Sequence, residues 1–443
     1  MKIIFTAGKN RIEDITSRKS KVNILRNIDL LGHFDFQNLI LTLDYYSSQE
    51  IEEILRNNDF HQKSELLSLV THEYTHFIDC TSTLWGLNHI NLMQNAYSVN
   101  YATHGQEKNF YHAKLFFDYL KRIKLPDYYN QVGEIDVEEN EWRKQHSIGL
   151  IFAINGHLSD SPVIFTNFHD AENNLIARSP FSDLSLLECS ATYQETKIKL
   201  HFLEGQDSDF YTVEKTRIKR ELEKSFYNKN LTEYSVCTHL VLEKLAKKDI
   251  FFALEVASNI ARFCLNASSA TFEDIRRSRS FNHLLGYDLA SLKRFNKALG
   301  NNNRGVLFFL ITQIMNVILE NNQKTFEEIF AHTLKKLGIS DSHQEHSLTE
   351  ANNHLTKINS GKIELLKAVA NSGYVNLRKT IGKFSSLDYQ TMHLPPCYLN
   401  DAQQFNPFFS EKNNLCHLDC DYFFDQLNQY ESSMYRFVEG CTN

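Results

Sequence analysis

The chain has little of what interrupts helices: six prolines and 16 glycines among 443 residues. Pro removes a backbone donor and Gly adds backbone entropy, so their scarcity predicts few turns and a helix-rich fold. Long apolar runs are also missing. The longest candidate, Val306 to Leu319, is too short to span a bilayer and carries Gln313 and Asn316. The opening MKIIFTAGKNR has too brief an apolar stretch for a secretory signal. These absences predict a soluble, cytoplasmic protein with no membrane partner. An excess of basic residues is missing too: 47 Lys and Arg stand against 54 Asp and Glu, a net charge of −7. A broad nucleic-acid-binding surface is therefore not expected. Eight cysteines are too few for a disulfide scaffold and read as reduced thiols, most of them core residues.

What is present suits a large core: 42% hydrophobic residues, including 32 Phe and 20 Tyr. The first sixty residues are the least helical, with strands expected at Ile3-Ile4-Phe5 and over Leu39 to Tyr45. Helical spacing begins at Gln49, and a second helix is expected from Ser64 to Trp85, stopped by Gly86 and Asn88. Residues 88 to 180 are mixed, with a helix over Asn109 to Ile123 and strands over Ile148 to Ile154 and Pro162 to Phe168. A helix follows from Ser182 or Asp183, and after Asp207 helical periodicity dominates, as in Tyr234 to Leu245 and Ile250 to Cys264. No repeat of fixed period and no Pro- or Ser-rich linker divides the chain.

Residues 72 to 76 read His-Glu-Tyr-Thr-His, an HExxH pattern. Residues four apart share one helix face, so His72 and His76 can offer imidazole nitrogens to one cation. Zn²⁺ lowers the pKa of a bound water to about 7, and the neighbouring Glu73 can then act as general base. Leu66, Leu67, Leu69 and Val70 precede the motif and would bury this helix. A catalytic tetrahedral site needs a third protein ligand. Asp79 is the nearest carboxylate, but on a continuous helix it lies seven residues, roughly 10 Å, from His72. It reads as a solvated residue or one supporting the ligands from behind. The extended HExxHxxGxxH pattern fails, with Asp79 at its Gly and Ser82 at its third His.

The better third ligand is Glu188, in LLECSATYQE. Together the two segments resemble the glutamate-type zinc peptidases, the gluzincins, and especially their aminopeptidase-like branch. In that branch a second helix carries a pattern like E-G-F-A-x-Y-x-E. Glu188, Ala191, Tyr193 and Glu195 stand in the same register, with Cys189 and Ser190 at the Gly and aromatic positions. The resemblance implies that His72, His76 and Glu188 hold one catalytic zinc, with Glu73 as base and a peptide or protein as substrate. It also implies an α+β fold: a zincin-like catalytic region over residues 1–200 with a small N-terminal sheet, and a large, mainly helical region over 201–443. That second region would suit substrate recognition. The interval from His76 to Glu188 is far longer than the compact gluzincin arrangement, so residues 88 to 180 would form an inserted subdomain. The family's oxyanion donor is a Tyr or His some tens of residues after the third ligand; Tyr227, Tyr234 and His239 fall there.

Two competing readings stand beside this one. A non-enzymatic helical interaction protein would carry the HExxH by accident or around a structural metal, with Cys80 as a conceivable fourth ligand. A zinc hydrolase could use the same residues on a non-peptide substrate. Near the C-terminus His393, Cys397, Cys416 and Cys420, with His417 as a further participant, offer a second, structural zinc site, although free thiols are the simpler reading. His146, His157, His169, His343, His346 and His354 lack ligand-like spacing. The run Arg276-Arg277-Ser278-Arg279 reads as a solvated helix face.

Overall fold

The computed structural model describes residues 33–57, 59–99, 110–134, 142–152, 156–245, 248–284, 286–315, 325–383, 387–405 and 420–442. The strand expected at Ile3-Ile4-Phe5 lies outside them. The fold is α+β, dominated by helices, with two small sheets. The chain enters through β1 (His33–Asp35) and β2 (Ile40–Leu43), then α1 (Ser48–Arg56), α2 (Phe60–Thr81), α3 (Leu84–Tyr97) and α4 (Phe110–Ile123). Strands β3 (Gln131–Val132), β4 (Arg143–Phe152), β5 (Leu158–His169) and β6 (Leu175–Pro180) follow. A helical stretch then runs through α5 (Asp183–His201), α6 (Ser208–Phe226), α7 (Thr232–Lys244), α8 (Ile250–Leu265), α9 (Ser269–Ser278), α10 (Phe281–Leu284), α11 (Leu289–Gly300) and α12 (Arg304–Ile314). It continues as α13 (Phe326–Leu337), α14 (His343–Asn359) and α15 (Glu364–Thr380), before β7 (Cys397–Leu399), β8 (Gln404–Phe405) and α16 (Cys420–Thr442).

Helix α2 starts ahead of the expected Ser64 because Asp59 caps it, accepting from the His61 and Gln62 amides at 2.9 and 3.2 Å. It also stops before Trp85. Thr83 Oγ1 accepts the Gly86 amide at 3.0 Å and donates to the Asp79 carbonyl at 2.6 Å, closing one helix and opening the next. Gly86 is thus no helix stop. It sits in the first turn of α3, where a Cβ would come within 2.4 Å of the Cys80 carbonyl carbon, so the tight corner excludes a side chain.

In the first sheet, in the order β1-β2-β7-β8, β1 pairs antiparallel and β7 parallel with β2, which carries residues 397–399 back beside the N-terminal strands. The Tyr74 hydroxyl secures that return by donating to the Pro395 carbonyl at 2.6 Å. The second sheet, β3-β6-β5-β4, is antiparallel throughout, and α11 and α12 pack on β5. One buried apolar cluster extends from Phe34 to Val438, and a satellite of Leu125, Tyr129, Ile151, Val163 and Phe165 lies against the second sheet. Helices α2 and α5 form the most extensive helix pairing, with Ala191 fully buried. Among the described residues no single helix is long and apolar enough to cross a membrane.

Candidate metal centre

Two helices place the site. On α2 the i, i+4 spacing puts His72 and His76 one turn apart, with Nε2 atoms 3.1 Å apart. On α5 the start is set by Ser182, whose hydroxyl accepts the Ser185 amide at 3.3 Å and donates to Glu233 Oε1 at 2.7 Å. Six residues after Ser182, Glu188 reaches across to α2. Its Oε2 lies 3.4 Å from His72 Nε2 and its Oε1 3.6 Å from His76 Nε2.

These separations fit one metal. Ligands about 2.0–2.1 Å from a tetrahedral zinc sit about 3.3 Å from one another. The two imidazole nitrogens, 3.1 Å apart, lie near that edge length, and Glu188 approaches them through different oxygens, Oε2 at 3.4 Å from His72 and Oε1 at 3.6 Å from His76. Two imidazoles and one carboxylate are also the donor types that zinc takes in open sites. Among the described residues this is the group of His, Cys, Asp and Glu side chains whose ligand atoms converge, all within 4.8 Å of one another. Cys80, buried in the core, is not in it.

Around the group the side chains are oriented rather than free. Glu195 Oε2 lies 3.1 Å from His72 Nδ1. A carboxylate only accepts, so Nδ1 carries a proton, and the neutral imidazole that binds a cation presents its Nε2 lone pair. Glu195 is itself held by Lys199, 2.7 Å away, and despite burial its carboxyl falls to about 2 through its bond to His72 and the Lys199 charge. Burial opposes protonation of His72, but Glu188 and Glu195 outweigh it and hold the imidazole well above its ordinary range. Phe34 in the middle of β1 and Phe36 just past its end cover His76, with ring centroids 6.3 and 5.9 Å away.

Glu73 is only 2% exposed. Burial is the main cause of its rise to about 7, with the Glu188 and Glu195 charges adding; His72 and the Phe34 amide, which donates to its carboxylate, pull the other way. A carboxyl poised near neutrality beside a cation site has the proton affinity of a general base.

Asp79 takes no part. Helix α2 runs unbroken past it, and it is buried rather than solvated, its Oδ1 3.7 Å from Arg262 Nη1 on α8. Burial raises its carboxyl to about 6 in spite of that guanidinium. The oxyanion candidates also separate. His239 is a core residue, its Nε2 bonded to the Phe226 carbonyl at 3.0 Å and its ring stacked on Phe226. Tyr227 packs edge-on against Trp142 and Phe226. Tyr234, in the first turn of α7, stands close enough to Glu188, Glu233 and Asp127 that their charges add to burial in raising its hydroxyl, which stays a donor.

The C-terminal constellation is not assembled among the described residues. Cys416 and His417 lie outside them, as does the Cys420 side chain. The His393 backbone is bonded to Asn376, and Cys397 is buried in β7 with its thiol pushed up to about 12. His146 is held by Thr166 Oγ1 at 3.1 Å. Arg276 and Arg277 pair with Glu273 at 2.8 and 3.0 Å on an exposed face, as read from the sequence. No family model, curated protein or solved structure matches this chain.

Proposed function

We propose that this protein is a zinc-dependent metallopeptidase of the gluzincin type. The observation that carries the reading is the convergence of His72, His76 and Glu188 from two helices, with the buried Glu73 next to the first ligand. Zinc, when bound there, supplies an acidified water and polarises a carbonyl oxygen. The rest is the work of the chain. Glu73, kept as a carboxylate by the dication beside it, accepts the proton of the attacking water and returns it to the leaving amine. The Phe34 amide holds the Glu73 carboxylate in place. Tyr234 donates a hydrogen bond to the oxyanion of the tetrahedral intermediate. Glu195 and Lys199 keep His72 in the tautomer that presents Nε2. Strand β1, outermost among the described strands of its sheet, offers backbone to an extended peptide next to His76.

The test combines metal analysis with hydrolysis. Protein purified without chelator should contain one equivalent of zinc and cleave a quenched-fluorescence peptide library. Glu73→Gln should keep the zinc and lose cleavage. A zinc-free native protein, or a Glu73→Gln variant of undiminished activity, overturns the proposal.

A further inference from the structure

A cleft of about 1000 Å³ opens between the C-terminal half of α4, the segment that follows it and the β4–β5 hairpin. That is at the upper end of the roughly 300–1,000 Å³ of small-ligand sites. Its floor is the satellite apolar cluster, including Leu125, Tyr129 and Ile151. Tyr128 and Phe152 stand at its lip, 66% and 50% exposed. A second cavity of about 400 Å³ adjoins it, with Arg122, Leu125, Ile151 and Ser161 lining both.

The cleft is basic on a chain of net charge −7. Four cations line it, Lys114, Lys121, Arg122 and Lys124, against Asp118 and Asp127. Two of them are neutralised: Lys114 pairs with Asp118 at 2.6 Å and Lys124 with Asp127 at 3.5 Å. Lys121 lies over the Phe117 ring at 4.0 Å, and among the described residues neither it nor the exposed Arg122 forms an ion pair. Two uncompensated cations beside exposed aromatic and aliphatic surface match a segment in which carboxylates alternate with large apolar side chains. Phosphate backbones fit less well. A nucleic acid needs a track of unpaired cations, and the cleft offers two.

The segment that walls the cleft also contacts α7, a helix packed on the Glu188 helix. Asp127 acts electrostatically on Tyr234, and Asn130 donates to Glu233 Oε2 at 3.2 Å, so the segment forming the cleft wall packs on the start of α7 beside Glu188. We infer that this cleft docks an acidic, aromatic-rich segment of the protein substrate and so selects what reaches the metal centre; the inference rests on the peptidase reading.

Binding separates the two. Fluorescence anisotropy would follow a short labelled peptide of alternating glutamate and phenylalanine, its lysine–phenylalanine counterpart and oligothymidylate, titrated with full-length Glu73→Gln protein. The acidic peptide should bind at least about tenfold more tightly than the lysine peptide at low salt, an advantage that shrinks as salt rises. Lys121→Glu with Arg122→Glu should weaken it about tenfold or more, whereas Lys335→Glu with Lys336→Glu, an equal change of charge in the last turn of α13, should leave it unchanged. Equal binding of the two peptides, equal loss in the control variant, or tighter binding of oligothymidylate overturns the inference. If the acidic peptide binds as expected but the wild type cleaves nothing, the peptidase reading fails alone. If cleavage persists without selective binding, the docking inference fails alone.

Discussion

Glu73 should destabilise the metal-free fold, and Glu73→Gln should reveal by how much. The carboxyl is 2% exposed, and burial lifts its pKa from 4.5 to about 7. Between these two pH values the unfolded chain has lost a proton that the folded chain keeps, so stability falls as pH rises. The loss is small below pH 4.5 and complete above about pH 7. A displacement from 4.5 to about 7 corresponds to about 3 kcal/mol, with no solvent discount for so buried a group. The amide is nearly isosteric and carries no charge, so the variant should escape this cost. In chelator at pH 8, Glu73→Gln should therefore be more stable than wild type by up to about 3 kcal/mol in urea unfolding. At pH 5 the gain should shrink below about 1 kcal/mol. Zinc should reverse the comparison, because a dication beside Glu73 stabilises the carboxylate. An equal gain at both pH values would show that packing, not charge, is responsible; no gain at pH 8 would show that Glu73 is not strained in its ionised form.

Four further outcomes test the centre. Glu188→Ala should weaken zinc binding by about 10²–10³-fold, since the about 10–16 kcal/mol of a four-ligand site shares out at about 3–4 kcal/mol per ligand; Asp79→Ala should retain the metal in dialysis against a weak chelator but lose about 3–5 kcal/mol of stability by stranding Arg262. Glu195→Gln should lower zinc affinity about 10–100-fold by releasing the His72 tautomer, read by competition with a chromogenic chelator. Tyr234→Phe should cut kcat by about 10²–10³-fold with KM nearly unchanged in steady-state peptide hydrolysis, and an unaltered kcat would remove Tyr234 from the mechanism.

The parts of this site that sequence could supply are those that one helix encodes by itself. His72 and His76 share a face because of local geometry, and no tertiary contact is needed to see it. Asp79 could be set aside for the same reason, since its distance along α2 follows from helical rise. Its burial could not: nothing near residue 79 announces Arg262, which arrives from α8. Glu188 was reachable only through resemblance, because its place beside His72 depends on how α5 crosses α2 after a four-stranded sheet has intervened. The helix boundaries failed where short side chains capped them, as with Asp59 and Thr83, which compete for backbone amides in ways that apolar periodicity does not register.

Two residues show where the limit lies. Glu195 follows Glu188 by seven positions, two turns along the same face of α5, and that spacing was a usable signal. A carboxylate two turns from a ligand can reach the far nitrogen of the same imidazole, and here His72 meets Glu188 through Nε2 and Glu195 through Nδ1. Tyr234 gave no such signal. It and His239 lie five residues apart on α7 and therefore on different faces, so only one can look toward the metal centre. Which face turns inward is decided by packing against α5 and the second sheet, and His239 loses by stacking on Phe226 in the core. The proposed mechanism is thus split between helix-periodic pairs, which any reader of the sequence can find, and a proposed proton donor and docking cleft that take shape only once distant elements are brought together.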